Sequence, residues 1–130
     1  MTRAGWGRAR PSAGAGHLDA VLAGRLADTM FALSTPSRVL ILGCLLAGPR
    51  SVTDITETLG MEQSAVSHQL RVLREHRLVR AERAGRRRLY ALYDEHVSVL
   101  LEAGLRHVDP GRPGPVADHA MPGDGAGGAS

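Results

Sequence analysis

Three features of this 130-residue sequence predict a mainly α domain with one β-hairpin, ordered helix, helix, helix, helix, hairpin, helix. Apolar residues recur at helical spacing from His17 to about Arg77. The period then shortens to two across LVRAERAGRRRLYALY, residues 78–93, and returns to helical spacing in YDEHVSVLLEAGLRHV, residues 93–108.

The elements follow in chain order. HLDAVLAGRLADTMFAL, residues 17–33, carries Val21, Leu22, Leu26, Met30, Phe31 and Leu33 at helical intervals. A second helix restarts after Ser34 and Thr35 with Pro36 in its first turn, where a missing N–H costs nothing, and stops at Gly48-Pro49. It is apolar almost all round, which marks it as the central core helix. SVTDITETLG supplies a short third helix, opening near Ser51 or Thr53 and closed by Gly60. MEQSAVSHQLRVLREHR supplies a fourth from about Gln63, with Ala65, Val66, Leu70 and Leu73 at inward spacing. Alternation on both sides of Ala84-Gly85 then gives a hairpin with a basic tip, and the last helix follows.

The two ends differ from this middle. Residues 1–16 and 109–130 are rich in Gly, Pro, Ala and Ser and are expected to form a disordered arm and a flexible tail around a folded domain at 17–108. A folded unit of that size gains from a partner that completes its core. No apolar run is long enough to span a bilayer, and the N-terminus lacks a secretory pattern, so a cytoplasmic protein is expected. The single cysteine, Cys44, excludes an internal disulfide and reads as a small buried residue.

Charge is placed unevenly. All sixteen basic residues are arginine, and eight lie within residues 71–88 against Glu75 and Glu82, a local balance of +6. Such a block beside a helix-turn-helix points to a polyanion partner. A short helix, a turn at Gly60 and a second helix form that motif, whose second helix enters the major groove. Gln63, Ser64, Ser67, His68 and Gln69 occupy its first two turns, where Gln pairs with adenine and Ser with bases or phosphates. Arg71 and Arg74 suit phosphates. Arg86, Arg87 and Arg88 at the hairpin tip suit the backbone or the adjacent minor groove. Double-stranded operator DNA is therefore the expected partner. An enzyme is not expected: the chain has no His-Glu-x-x-His, no suggested Ser/His/Asp or Cys/His arrangement and no phosphate-cradling Gly loop.

Residues 20–108 resemble the ArsR/SmtB family of winged-helix repressors, on ALSTPSRVLIL, VTDITETLGMEQSAVSHQLRVLRE and LVRAERAGRRRLYALYDEHV. The resemblance implies a winged helix-turn-helix homodimer joined through its first and last helices. It implies occupation of an operator in the metal-free state and release when metal binds. Ser64, Ser67 and His68 are then operator contacts. The family's nickel/cobalt-responsive members imply Asp94, His96, His107 and His119 as ligands. The family's further positions fall here at Pro110 and Arg112, which leaves His17 and Asp109 as possible substitutes. The cysteine motif of the family's other metal site is absent from SVTDIT.

Geometry bears on that ligand set. Val97, Leu100, Leu101, Gly104, Leu105 and Val108 form one helix face, and His96 and His107 lie on its edge, about 20° apart around the axis. Along the axis they are separated by roughly 16 Å, too far for one ion with bonds near 2 Å. An identical helix placed antiparallel across a two-fold axis brings His96 of one chain beside His107 of the other. One carboxylate with imidazoles suits zinc, cobalt or nickel. Asp94 also occupies a preferred helix-cap position. The alternative is a repressor of the same family with a non-metal inducer or none.

Overall fold

A computed structural model describes residues 17–114 and contains, among them, five helices and a two-stranded antiparallel sheet. The helices are α1 (Ala20–Ala32), α2 (Pro36–Leu45), α3 (Val52–Leu59), α4 (Gln63–Glu75) and α5 (Glu95–Val108). Strands β1 (Val79–Ala84) and β2 (Arg87–Leu92) lie between α4 and α5. The expectations for residues 1–16 and for the tail beyond Gly114 lie outside the described residues.

Local chemistry sets these boundaries. Asp19 caps α1 by accepting from Leu22 N at 2.8 Å. Pro36 opens α2. Ser51 and Asp54 form a reciprocal capping box at α3: Ser51 Oγ accepts from Asp54 N at 3.0 Å, and Asp54 Oδ2 accepts from Ser51 N at 3.1 Å. Gly60 ends α3 at φ 67°, a left-handed conformation that a Cβ disfavours.

The end of α4 is unusual. Leu78 N donates to Leu73 O at 2.9 Å and Arg77 N to Arg74 O at 3.0 Å, the paired bonds of a Schellman motif. The left-handed position in that motif is Arg77, at φ 57°, where glycine is the ordinary occupant.

The hairpin pairs Val79 with Leu92 and Ala84 with Arg87, so its turn is Gly85-Arg86, one residue beyond the Ala84-Gly85 centre expected from the alternation. The turn needs a positive φ, which Gly85 takes at 68°. Arg50 and Tyr90 exchange backbone bonds at 2.9 and 2.7 Å, tying the loop before α3 to β2.

The core is one cluster: Ala32 of α1, Ile41, Leu42 and Leu45 of α2, Ile55 of α3, Val66, Leu70 and Leu73 of α4, Leu78 and Val79 entering β1, and Val97 and Leu101 of α5. α2 does run through its centre, although Leu40 on its outer side is exposed, so its apolar character exceeds what one chain covers. Cys44 is half-buried, and desolvation raises its thiol pKa despite the nearby Arg50 charge. α1 stands apart: Ala32 alone of its residues is buried, while Val21, Leu22, Leu26, Met30 and Phe31 are exposed. No helix among the described residues is long and apolar enough to cross a membrane.

Candidate nucleic-acid interface and effector site

α4 divides sharply. Val66, Leu70 and Leu73 are buried to 1 % exposure or less, which seats one face on α2 and α3. Burying that face turns Gln63, Ser64, Ser67, His68, Arg71 and Arg74 outward. The helix cap is Glu62, so Ser64 lies inside the first turn rather than at its cap. Gln69 differs from the other four polar residues of the first two turns. It is half-buried, and its Oε1 accepts from Arg38 Nη1 at 2.9 Å.

The three arginines at the hairpin tip have three different settings. Arg87 Nη2 lies 3.3 Å from Asp54 Oδ2, joining the wing to the start of α3. Arg88 lies over the Tyr90 ring, 5.5 Å from its centroid. Arg86, in the turn, has no charged or aromatic partner among the described residues. Asp54 titrates below the ordinary carboxylate value, first because Ser51 donates to it from its backbone and hydroxyl, and further because of the Arg87 charge. The wing's position and the cap of α3 thus share one carboxylate.

After the wing, Asp94 is the N-cap of α5, its Oδ1 accepting from His96 N at 2.9 Å. Capping engages one carboxylate oxygen and leaves the second. The same Oδ1 lies 3.5 Å from His96 Nδ1, and the His96 side chain is 95 % exposed. Cap and candidate ligand are therefore compatible roles for Asp94. His107 lies in the last turn of the same helix, exposed, and is not brought near this pair within the chain. Among the described residues no three His, Cys, Asp or Glu side chains converge as a metal cage. His119 lies outside the described residues. Asp109 is the C-cap residue of α5, and Arg112 N donates to its carbonyl at 2.9 Å, so the chain turns directly after the helix. His17 is exposed, just ahead of α1.

A cleft of about 540 Å³ lies between the end of α4, the start of α5 and α1. Asp94 and His96 line it from the start of α5, His76 and Arg77 from the end of α4, and Arg25 and Thr29 from α1. His76 escaped the sequence reading because its neighbours belong to a helix end, not to a ligand spacing. Its Nδ1 donates to Val72 O at 3.0 Å, which leaves Nε2 as the ring's remaining nitrogen. Arg77 lies over Tyr93, 6.0 Å from its centroid, and Tyr93 N donates to Leu78 O at 2.9 Å. The end of α4 is thus fastened to the segment that carries Asp94.

The apolar stripe of α5 is only partly satisfied. Val97 and Leu101 are buried, whereas Gly104 and Val108 are exposed. An apolar groove of about 530 Å³ runs beside it, lined by Met30 and Leu33 of α1, Val39 of α2, and Leu100, Leu105 and Val108 of α5.

Comparison with known proteins is consistent with this arrangement. A family model described as "Bacterial regulatory protein, arsR family" matches residues 35–81. The chain is 55 % identical over 101 residues to the HTH-type transcriptional regulator NmtR of Mycobacterium tuberculosis, spanning 78 % of this chain and 82 % of the relative. It is 38 % identical over 84 residues to a transcriptional repressor SmtB homolog of Synechocystis, spanning 65 % of this chain and 64 % of the relative. The solution structure of apo-NmtR superposes with a TM-score of 0.64 at 50 % identity, covering 92 % of this chain and 96 % of that one. A homodimeric winged helix-turn-helix DNA-binding domain of Mycobacterium bovis superposes with a TM-score of 0.63 at 29 % identity, covering 79 % and 99 %.

Proposed function

The chain belongs to the arsR family of bacterial regulatory proteins, and from that premise we propose that it is a dimeric, metal-responsive transcriptional repressor. The observation that carries this reading is the split of donors along α5. Asp94 and His96 sit together at one end, His107 sits alone at the other, and the apolar face between them is incompletely covered. A second copy laid antiparallel supports both needs at once. It covers the exposed stripe and α1, and it brings His107 of the partner subunit toward Asp94 and His96, giving two equivalent places by symmetry.

Reading is assigned to α4 and the wing. Gln63, Ser64, Ser67 and His68 face outward on the first two turns, in position for base edges and phosphates of the major groove. Arg71, Arg74 and the hairpin arginines add sequence-independent attraction to phosphates. Two such helices related by a two-fold axis select an imperfect palindrome whose half-sites match their separation.

Effector sensing is assigned to Asp94, His96 and His107, with His119 of the tail as a fourth donor. The donor chemistry suits a zinc, cobalt or nickel ion, which these side chains of the two subunits would hold together. The chain's own residues supply the route to DNA. Tyr93 and Arg77 connect the Asp94 segment to the end of α4, so a change in how the α5 helices pair alters the separation of the reading helices. A coupling of about 1–3 kcal/mol is enough for five- to 150-fold release.

The test uses a DNA duplex that the chain itself selects from a random library. His96→Ala and His107→Ala are expected to bind it within about threefold of the parent chain and to lose release by zinc, cobalt and nickel. Normal release by His96→Ala with all three ions contradicts the assignment.

A further inference from the structure

Gln69 sits among the polar residues of the reading helix, yet its environment is unlike theirs. Gln63, Ser64, Ser67 and His68 are exposed; Gln69 is half-buried and engaged from behind. The engaging group is Arg38 on α2, 31 residues earlier, whose Nη1 donates to Gln69 Oε1 at 2.9 Å. The same guanidinium reaches the other way. Its Nε donates to Ala32 O at 2.5 Å, and its Nη2 lies 3.5 Å from Phe31 O. Both acceptors belong to the last turn of α1, where carbonyls lack intrahelical donors and a cation is favoured.

The planar fork of one arginine therefore spans two helices with little other reason to stay in register. α1 buries only Ala32 in the chain's own core, and its apolar face is free for a partner. α4 is the reading helix. Arg38 is the polar link between them.

We propose that Arg38 and Gln69 form a positioning clamp that holds the reading helix in register with the dimer-facing helix α1, and that Gln69 serves this clamp rather than reading a base. The proposal rests on the repressor reading above for what α4 does, and on the hydrogen bonds alone for the clamp. It makes the pose of α4 sensitive to α1 and hence to how two copies pair. Arg38 and Gln69 act through other residues and touch no DNA themselves.

The clamp is examined first without DNA. In the full-length chain, Gln69→Leu removes the acceptor while leaving Arg38 and its bonds to α1 carbonyls possible. The Arg38 Nε–H resonance and the Phe31–Leu33 amides are expected to shift and to exchange with solvent faster in this variant. Unchanged signals overturn the clamp whatever the chain binds, so this arm fails independently of the repressor reading.

The second arm uses the duplex selected by the parent chain, followed by reselection with each variant. Gln69→Leu and Arg38→Met are each expected to weaken binding on the order of tenfold, the value of one hydrogen bond to a charged group. The double variant is expected to be no weaker than either single one, because both remove the same link. The base preferences recovered by Gln69→Leu are expected to match the parent's. A preference lost at one base pair, additive losses, or no loss in Gln69→Leu overturns the proposal. If Arg38→Met fails to fold, the resonances and base preferences of Gln69→Leu still decide it.

Discussion

Helices α4 and α1 are both amphipathic by sequence but end in opposite environments, and α5, with Val97 and Leu101 buried and Val108 exposed, lies between them. α4 finds its apolar partners within the chain: Leu70 is 1 % exposed against α2 and α3. α1 does not, and Phe31 is 70 % exposed. The half that carries the helix-turn-helix is completed by one polypeptide, whereas the half that carries the candidate effector residues is not. In the proposed function the incomplete half is where the input acts, because its final arrangement depends on how two copies meet.

That contrast is broken most directly in the core. Leu70→Ala is expected to cost about 2–5 kcal/mol, a large share of the stability of so small a domain, and to lower the midpoint of a urea melt followed by circular dichroism. Leu26→Asp, on the exposed side of α1, is expected to leave helix content intact while dissociating the dimer. The two charges that the symmetric dimer then buries cost at least about 3 kcal/mol together, read by sedimentation as a rise of at least about two decades in the dimer dissociation constant. If Leu26→Asp unfolds the chain instead, α1 belongs to the monomer core and the contrast fails.

Smaller effects sharpen the same division. Arg77→Gly relieves a left-handed residue, worth about 1 kcal/mol, but gives up the contact with the Tyr93 ring, worth about 0.5 kcal/mol, so a net gain of about 0.5 kcal/mol is expected in the same melt. Arg86→Ala is expected to weaken binding to all duplexes alike and to reduce the slope of log affinity against log salt by about 1 per subunit, about 2 for the dimer. The mildest test is pH. Because Ser51 and Arg87 hold the folded-state pKa of Asp54 low, its contribution is present above the unfolded carboxylate value, about 3.9. It is lost as pH falls through the lower folded value. Asp54→Asn is therefore expected to melt below the parent chain at pH 7, and the two curves are expected to converge at strongly acid pH.

The backbone plan was legible wherever one residue type dictates one conformation. Pro36, Gly60 and Gly85 marked a helix start, a helix end and a hairpin turn. The switch from helical to alternating apolar spacing located the wing. The end of α4 was not legible by that means, because Arg77 stands where glycine normally announces a Schellman motif. Gln69 was read with its polar neighbours because periodicity says which way a residue points, not who meets it there; Arg38 lies too far away in sequence for any spacing rule. The same limit hid His76, whose place in the cleft comes from the path of the chain after α4. On α5, by contrast, the eleven-residue interval between His96 and His107 carried the geometric problem in full, since a straight helix cannot bring its two ends together.

The claim that the effector site forms only between subunits is tested by mixing His96→Ala and His107→Ala chains. Each homodimer lacks one imidazole at both places, whereas the mixed dimer holds one intact pair, with both substitutions confined to the other place. After subunit exchange about half of the dimers are mixed. Equilibrium titration with cobalt and zinc is expected to show weak binding by each variant alone and one tight site per mixed dimer after exchange. If exchange is verified by mass spectrometry and the mixture binds no more tightly than its components, the donors are not shared across the interface and the account is contradicted.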